Sequence, residues 1–187
     1  ERFTELLQTA LDSTHSKRFE VLNCGKAGMS AKAGFEFYSR QARTWGPAIL
    51  IVGLGTNNLR DGQDPMRVME DKQALEQYQR ELEQFARLAS KDGVQMLLWT
   101  NSVLDERGEN TLKPFNERAR LVGEKYALEV VDLDYLYSQN PATPAEIQQY
   151  KSKQRWTDYW SNFERVPLTT AALYNDMAHP NAAGFKR

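Results

Sequence analysis

Three short stretches of the chain carry residue types that acyl chemistry needs, and each also has an ordinary reading. The first is Asn23-Cys24-Gly25-Lys26-Ala27-Gly28-Met29-Ser30, which follows an apolar run and precedes a helical one. Its two glycines, three apart, permit a tight turn whose backbone N–H groups point outward and can receive an anion; glycine turns are also common wherever a strand meets a helix. The stretch lacks the third glycine and downstream acid of a dinucleotide fingerprint, and it is not a phosphate-binding loop of the Gly-Lys-Ser/Thr type. The second, Gly53-Leu54-Gly55-Thr56-Asn57-Asn58, ends another apolar run and presents two side-chain amides. Those amides either aim an N–H donor across the end of a sheet or bond their own backbone in a turn. In the third, Asp176-Met177-Ala178-His179-Pro180, a carboxylate lies three residues from an imidazole. That spacing can fix the tautomer of His179 and stabilise its protonated form, as a base in acyl transfer requires; it equally describes a surface histidine near a helix cap. Pro180 keeps His179 out of the helical region and suits the first turn of the helix that follows.

Such stretches act together only if a frame carries them to one place. Four apolar runs are the strand candidates: Phe19 to Asn23, Ala48 to Gly53, Val94 to Thr100 and Leu128 to Leu133. Ala48-Ile49-Leu50-Ile51-Val52 is apolar without alternation, the pattern of a parallel strand covered on both faces. Met69 to Ala89 places Leu75, Tyr78, Leu82, Phe85 and Ala89 at spacings of three and four, which predicts one long amphipathic helix, stopped by Asp92-Gly93. Glu1 to Leu11, with Phe3, Leu6, Leu7 and Leu11 on one face, and Pro114 to Tyr126 predict shorter helices. Strand and helix alternate, so the expected fold class is α/β, an open sandwich with a mainly parallel sheet, as one domain over residues 1–187. Ligands in such a sheet bind beyond the carboxyl ends of the strands, where these motifs fall.

Composition narrows the function classes. Of 187 residues, 41% are hydrophobic and 26% charged, a globular mix unlike disordered, collagen-like or disulfide-stapled chains. Lys plus Arg (24) nearly balances Asp plus Glu (25), so the chain lacks the positive surplus of a polyanion binder and no nucleic-acid partner is expected. No apolar run approaches the roughly 20 residues of a membrane span. Cys24 has no disulfide partner, and two histidines with one cysteine cannot build an all-Cys/His zinc site, so no metal is expected.

Taken together, the three motifs resemble those of the SGNH, or GDSL-like, hydrolases, a family of esterases, lipases and acetyl-transfer enzymes. Asn23-Cys24-Gly25 through Gly28 looks like the family's glycine block, Gly55-Thr56-Asn57-Asn58 like its GxND block, and Asp176 to His179 with Pro180 like its DxxHP block. The resemblance runs from Phe19 to Gly184 in matching order, apart from an aromatic-rich excursion over residues 134–175. It implies a flavodoxin-like three-layer sandwich, an ester substrate of small-molecule, carbohydrate or lipid type, and no cofactor. Carried over by position, it implies that Gly28 gives a backbone N–H and Asn57 an amide to an oxyanion hole, with His179 the general base and Asp176 its orienting carboxylate.

The chain departs from the family pattern twice. Asn58 stands where the pattern has Asp, keeping an acceptor but losing the charge. The family's nucleophilic serine belongs to a Gly-Asp-Ser block on the first strand, and no such block occurs here. Because Glu1 to Leu11 resembles the helix that follows that block, the serine and its strand are expected just before Glu1; the chain is expected to be truncated at both ends and inactive alone. Ser30 misses the GxSxG elbow, and Cys24 at a strand end reads as a small filler, so neither is expected to replace the serine. A non-catalytic binding domain for acylated carbohydrate or a protein partner is the alternative function class.

Residues 134–175 break the strand and helix rhythm and read as an aromatic-rich excursion. Trp156, Tyr159, Trp160 and Phe163 fall at helical spacing, among cations between 151 and 165. Aromatics with cations suit nucleic-acid or sugar stacking, but an amphipathic helix packed on the body accounts for the same pattern. His15 is expected in a polar turn, solvated, and is assigned no role. The segment directly precedes His179 and is expected to wall the acyl pocket as a lid, so Trp156→Ala with Trp160→Ala should change ester preference across an acyl-length series more than it changes the melting temperature. A change in melting temperature alone would remove the lid.

Overall fold

The computed structural model describes residues 3–15, 18–26, 28–59, 71–101 and 112–139. Their order is α1 (Phe3–His15), α2 (Ala31–Arg40), β1 (Ile49–Val52), α3 (Lys72–Lys91), β2 (Gln95–Trp99), α4 (Lys113–Tyr126), β3 (Glu129–Val131) and α5 (Leu133–Gln139), with 3-10 turns at Ala42–Trp45 and Thr56–Leu59. The strands pair in the order β1-β2-β3, all parallel, with Ile51 opposite Leu97 and Leu98 opposite Val130. The chain is therefore α/β with a parallel sheet.

Helix α3 is the spine of one layer. Asp71 caps it, its Oδ1 accepting the N–H groups of Gln73 (2.9 Å) and Ala74 (3.2 Å). All five stripe residues expected to face inward, Leu75, Tyr78, Leu82, Phe85 and Ala89, are buried. Gly93 takes φ +71°, a left-handed exit that lets Val94 N–H return to Ala89 O at 2.9 Å. Edge-to-face rings join α3 to its neighbours, Phe35 with Phe85 and Tyr78 with Phe115. Helices α2 and α4 thus flank α3 on the sheet face that receives Val52, Met96 and Leu98, all buried. Gly123 lets α4 approach the sheet closely, since a Cβ there would run into Val130.

Side chains alternate along a strand, so Ile49, Ile51, Leu97 and Trp99 face the opposite layer. There α1 supplies cover through Phe3, whose ring meets that of Trp99 edge-on at 4.6 Å. No residue of α1 is itself buried. The predicted covering of β1 on both faces fails here: Ile49 and Ile51 are 44% and 38% exposed.

Several expected boundaries also shift. The run Phe19 to Asn23 forms no strand, because a strand exists only against a partner and, among the described residues, β1 pairs with β2 alone. Its ladder groups turn instead to α1: Gln8 Oε1 accepts the Val21 N–H (2.7 Å), and Gln8 Nε2 donates to the Phe19 carbonyl (2.9 Å). A residue of a parallel neighbour would engage the same two groups. Helix α1 runs four residues beyond the expected Leu11, which puts His15 in its last turn rather than in a turn of its own. Leu133 leaves the fourth expected run to open α5, so the excursion predicted from residue 134 begins as a helix; the rest of it, with Trp156, Tyr159, Trp160 and Phe163, lies outside the described residues.

A Cβ on Gly53 would occupy the space of the Trp99 indole, which also carries Phe3. Gly53→Ala should therefore lower unfolding free energy in urea by about 1–3 kcal/mol, and Phe3→Ala should cost less in that background than in the wild type. Strictly additive losses would contradict a shared dependence on Trp99.

Candidate active site

The parallel order brings the carboxyl ends of the three strands to one edge, and the two amino-terminal motifs meet there. In the glycine block, Gly25 N–H bonds Asn23 Oδ1 at 3.0 Å, Met29 N–H bonds Lys26 O at 3.1 Å, and Gly28 takes φ +77°. Ser30 ends the block as the N-cap of α2, its hydroxyl accepting the Ala33 N–H at 3.3 Å.

The turn after β1 is fixed from two helices. Gly55 adopts φ +138°, and a Cβ there would sit 3.2 Å from the Tyr78 hydroxyl. That hydroxyl donates to Leu54 O at 2.7 Å, and Asn101 Nδ2 donates to the same oxygen at 2.9 Å. Asn101 is held in turn by Asn116 of α4, whose Oδ1 accepts the Asn101 N–H (3.0 Å) and whose Nδ2 donates to the Asn101 carbonyl (2.7 Å). Burial, with the Glu81 charge, raises the Tyr78 hydroxyl far above its ordinary value, which favours the protonated form that donates to Leu54.

Asn58 joins the two motifs. Its N–H closes the 3-10 turn onto Gly55 O (2.9 Å), its Oδ1 accepts the Ala31 N–H at the start of α2 (2.9 Å), and its Nδ2 donates to Glu81 Oε2 (3.3 Å). The possibility that both asparagines only bond their own turn is thereby overturned for Asn58. Asn57 faces a cavity of about 150 Å³ with Gly25, Lys26, Met29, Leu54 and Thr56; among the described residues its carboxamide has no hydrogen-bond partner. The cavity thus lies between the glycine block and the Asn57 turn, with Gly28 in the loop between two of its lining residues.

Of the expected site residues, Asn57 lines the cavity and Gly28 lies in the loop between its lining residues Lys26 and Met29, while Asp176 and His179 lie outside the described residues. The two internal substitutes for a serine are otherwise engaged. The Ser30 hydroxyl caps a helix, and burial pushes the Cys24 thiol up from its ordinary value, which disfavours the thiolate a nucleophile needs. Sequence reasoning read Tyr78 only as a core residue and did not reach Asn101, Asn116 or Glu81. The available signal was Asn101 directly beyond the β2 run.

At the third strand end, Asp132 accepts from Arg120 Nε (2.7 Å) and Nη2 (3.1 Å), Thr100 Oγ1 (3.0 Å) and the Tyr135 N–H (3.2 Å). Burial alone would raise its pKa, but the bonds from Arg120, Tyr135 and Thr100 outweigh it and hold the carboxyl below its ordinary value. Among the described residues no group of three or more His, Cys, Asp or Glu side chains could hold a metal ion, and no helix is long and apolar enough to cross a membrane.

A model of the GDSL-like lipase/acylhydrolase family matches residues 1–187, and the chain belongs to that family. Among solved structures, it is similar to AlAXEase, an acetyl xylan esterase, at 14% identity and TM-score 0.67 over 98% of this chain and 85% of that one. An acetyl xylan esterase from Geobacillus stearothermophilus aligns at 15% identity and TM-score 0.67, covering 100% and 77%. The psychrotrophic esterase EstA from Pseudoalteromonas sp. aligns at 12% and 0.57, covering 93% and 84%. Likeness at these identities establishes the fold. No curated protein matches the chain. Membership of that family makes the chain a hydrolase domain of the GDSL-like lipase/acylhydrolase type.

The depressed Asp132 pKa gives a signed expectation. A carboxyl lowered on folding adds stability above its unfolded value, about 3.9, and that stability is lost as pH falls through the folded value. Arg120→Met should therefore move the acid-unfolding midpoint, followed by circular dichroism, to higher pH. An unchanged midpoint would show that Arg120 does not set the Asp132 charge.

Proposed function

We propose that the protein is a serine ester hydrolase or acyl-transfer enzyme in which Gly28 and Asn57 hold the oxyanion, His179 is the general base and Asp176 orients it. The observation that carries this reading is the cavity between the Gly28 loop and the Asn57 turn, lined by Asn57, whose carboxamide has no hydrogen-bond partner among the described residues. Preorganised donors of this kind stabilise charge that develops only in the transition state.

The nucleophile is a serine on a strand that precedes Glu1. Support comes from the sheet: parallel strands are normally covered on both faces and paired on both edges inside a sheet, yet Ile49 and Ile51 of β1 are exposed. The ladder groups of Phe19 and Val21 are met by the Gln8 side chain instead of a strand. A strand seated beside β1 would bring its carboxyl end to the same edge as the cavity.

In the first step His179 removes the serine proton as the serine oxygen bonds to the ester carbonyl carbon, and the carbonyl oxygen becomes the oxyanion. Collapse breaks the bond to the alkoxy group, which leaves with the proton from His179. Water or another hydroxyl, deprotonated by the same imidazole, then attacks the acyl-enzyme and releases the serine. Asp176 stays ionised and stabilises the imidazolium. The ester is of small-molecule, carbohydrate or lipid type, and a chain confined to Glu1 through Arg187 has no nucleophile and is inactive.

The test is hydrolysis of a short-chain p-nitrophenyl ester by the full-length protein. His179→Ala should abolish turnover, and Asn57→Ala should lower kcat by roughly 10²–10³ with little change in KM. Equal activity in the wild type and His179→Ala would overturn the assignment and leave the non-catalytic binding domain.

A further inference from the structure

Glu81 is a carboxylate only 4% exposed on the inward side of α3. Burying a charge is costly unless donors meet it, and the donors here are amides: Gln77 Nε2 at 2.8 Å on one oxygen and Asn58 Nδ2 at 3.3 Å on the other. The Asn58 carboxamide can sit only one way round. Reversed, its oxygen would face the Glu81 carboxylate and its NH₂ would face the Ala31 N–H.

We infer that Asn58 and Glu81 are a matched positioning pair, in which the buried carboxylate requires a neutral amide at 58 and the pair fixes the distance between the Gly28 loop and Asn57. The inference rests on the reading of Gly28 and Asn57 as oxyanion donors. Asn58 is the residue after Asn57 and bonds the first N–H of α2, three residues from Gly28, while Glu81 anchors it to α3. One side chain thus sets two loops against a third, rigid element. Asn58, where the family pattern has an acid, accordingly has a local cause in this chain.

An acid at 58 would still accept from Ala31, but its other oxygen would lie against Glu81 Oε2. Two carboxylates so close share a proton and lose it together as pH rises. From α3 the groups facing Glu81 are Gln77 and Tyr78, from the 3-10 turn Asn58, and from α2 the positive N-terminal end at Ala31; among the described residues no cationic side chain pairs with Glu81. Among the described residues no cation would neutralise the added charge, and the turn carrying Asn57 would be pushed from α3. Exchanging both residues, Asn58→Asp with Glu81→Gln, restores one donor facing one acceptor and leaves an oxygen for Gln77.

The experiment compares full-length wild type, Asn58→Asp and the double exchange Asn58→Asp/Glu81→Gln from pH 5.5 to 9. It reads the Ala31 backbone and Asn57 side-chain amide resonances by NMR, and p-nitrophenyl acetate turnover relative to wild type at each pH. In Asn58→Asp, both resonances should move along one titration curve absent from the wild type, while relative kcat falls about tenfold as pH rises. The double exchange should abolish that titration and bring kcat within about threefold of wild type. A single variant without the titration, or a double exchange that keeps it, would overturn the inference. If Asn58→Asp does not fold, a folded double exchange with wild-type Ala31 and Asn57 resonances supports the pair, and an unfolded one overturns it. If the wild type hydrolyses no ester, the enzymatic reading fails and the resonances alone decide the pairing.

Discussion

Polar groups that pass the ends of a parallel sheet lose their ladder partners, and those buried there must find donors or acceptors elsewhere. Around this requirement the whole described edge is organised. Leu54 O, just beyond β1, is met by Tyr78 of α3 and by Asn101 beyond β2. Asn101 is met by Asn116 of α4, Asp132 beyond β3 by Arg120 of α4 and by Thr100, and Glu81 by Asn58. Each loop is thus fixed by a helix one layer away, so the loops inherit the rigidity of the α2-α3-α4 layer. Buried, fully satisfied networks of this kind favour one arrangement over its competitors.

Asn57 gains its importance from that setting. Leu54 and Asn58, on either side of it in the turn, are held by α3 and by Asn101 while Asn57 lines the cavity, so in the proposed function the cost of placing its amide is met largely by folding. The other layer is less closed. Trp99 and Phe3 cover one part of the sheet, while Ile49 and Ile51 stay exposed on β1, and the Gln8 carboxamide takes the place of a strand's peptide groups along Phe19 to Val21. In the proposed function, a strand beside β1 would offer the peptide groups that the Gln8 carboxamide stands in for here.

How far the sequence could be read depended on whether a feature was local. The α3 stripe, the Asp92-Gly93 stop and the β2 run lie in continuous segments whose periodicity reports burial directly, and all are found in the structure. The glycine and Asn57 motifs were legible because their chemistry demands particular residue types in short order. Phe19 to Asn23 misled because an apolar run becomes a strand only when a neighbour is present. Tyr78 and Leu54 are 24 residues apart and Asn101 and Leu54 are 47 apart, with no spacing rule to link them. Asn116 looks like the polar side of an amphipathic helix, yet it is 2% exposed because its carboxamide replaces a sheet partner for Asn101. Glu81 was hidden for the same reason, a charged residue beside Leu82 whose partner lies on another element.

The central claim is that this chain supplies the base and oxyanion donors for a serine that precedes Glu1. Labelling the full-length protein with a fluorophosphonate and mapping the adduct by mass spectrometry tests it most directly. The account predicts one adduct, on a serine N-terminal to Glu1, formed far more slowly in His179→Ala. An adduct on Ser30 or Cys24, or ester turnover that persists with no adduct formed, would contradict it.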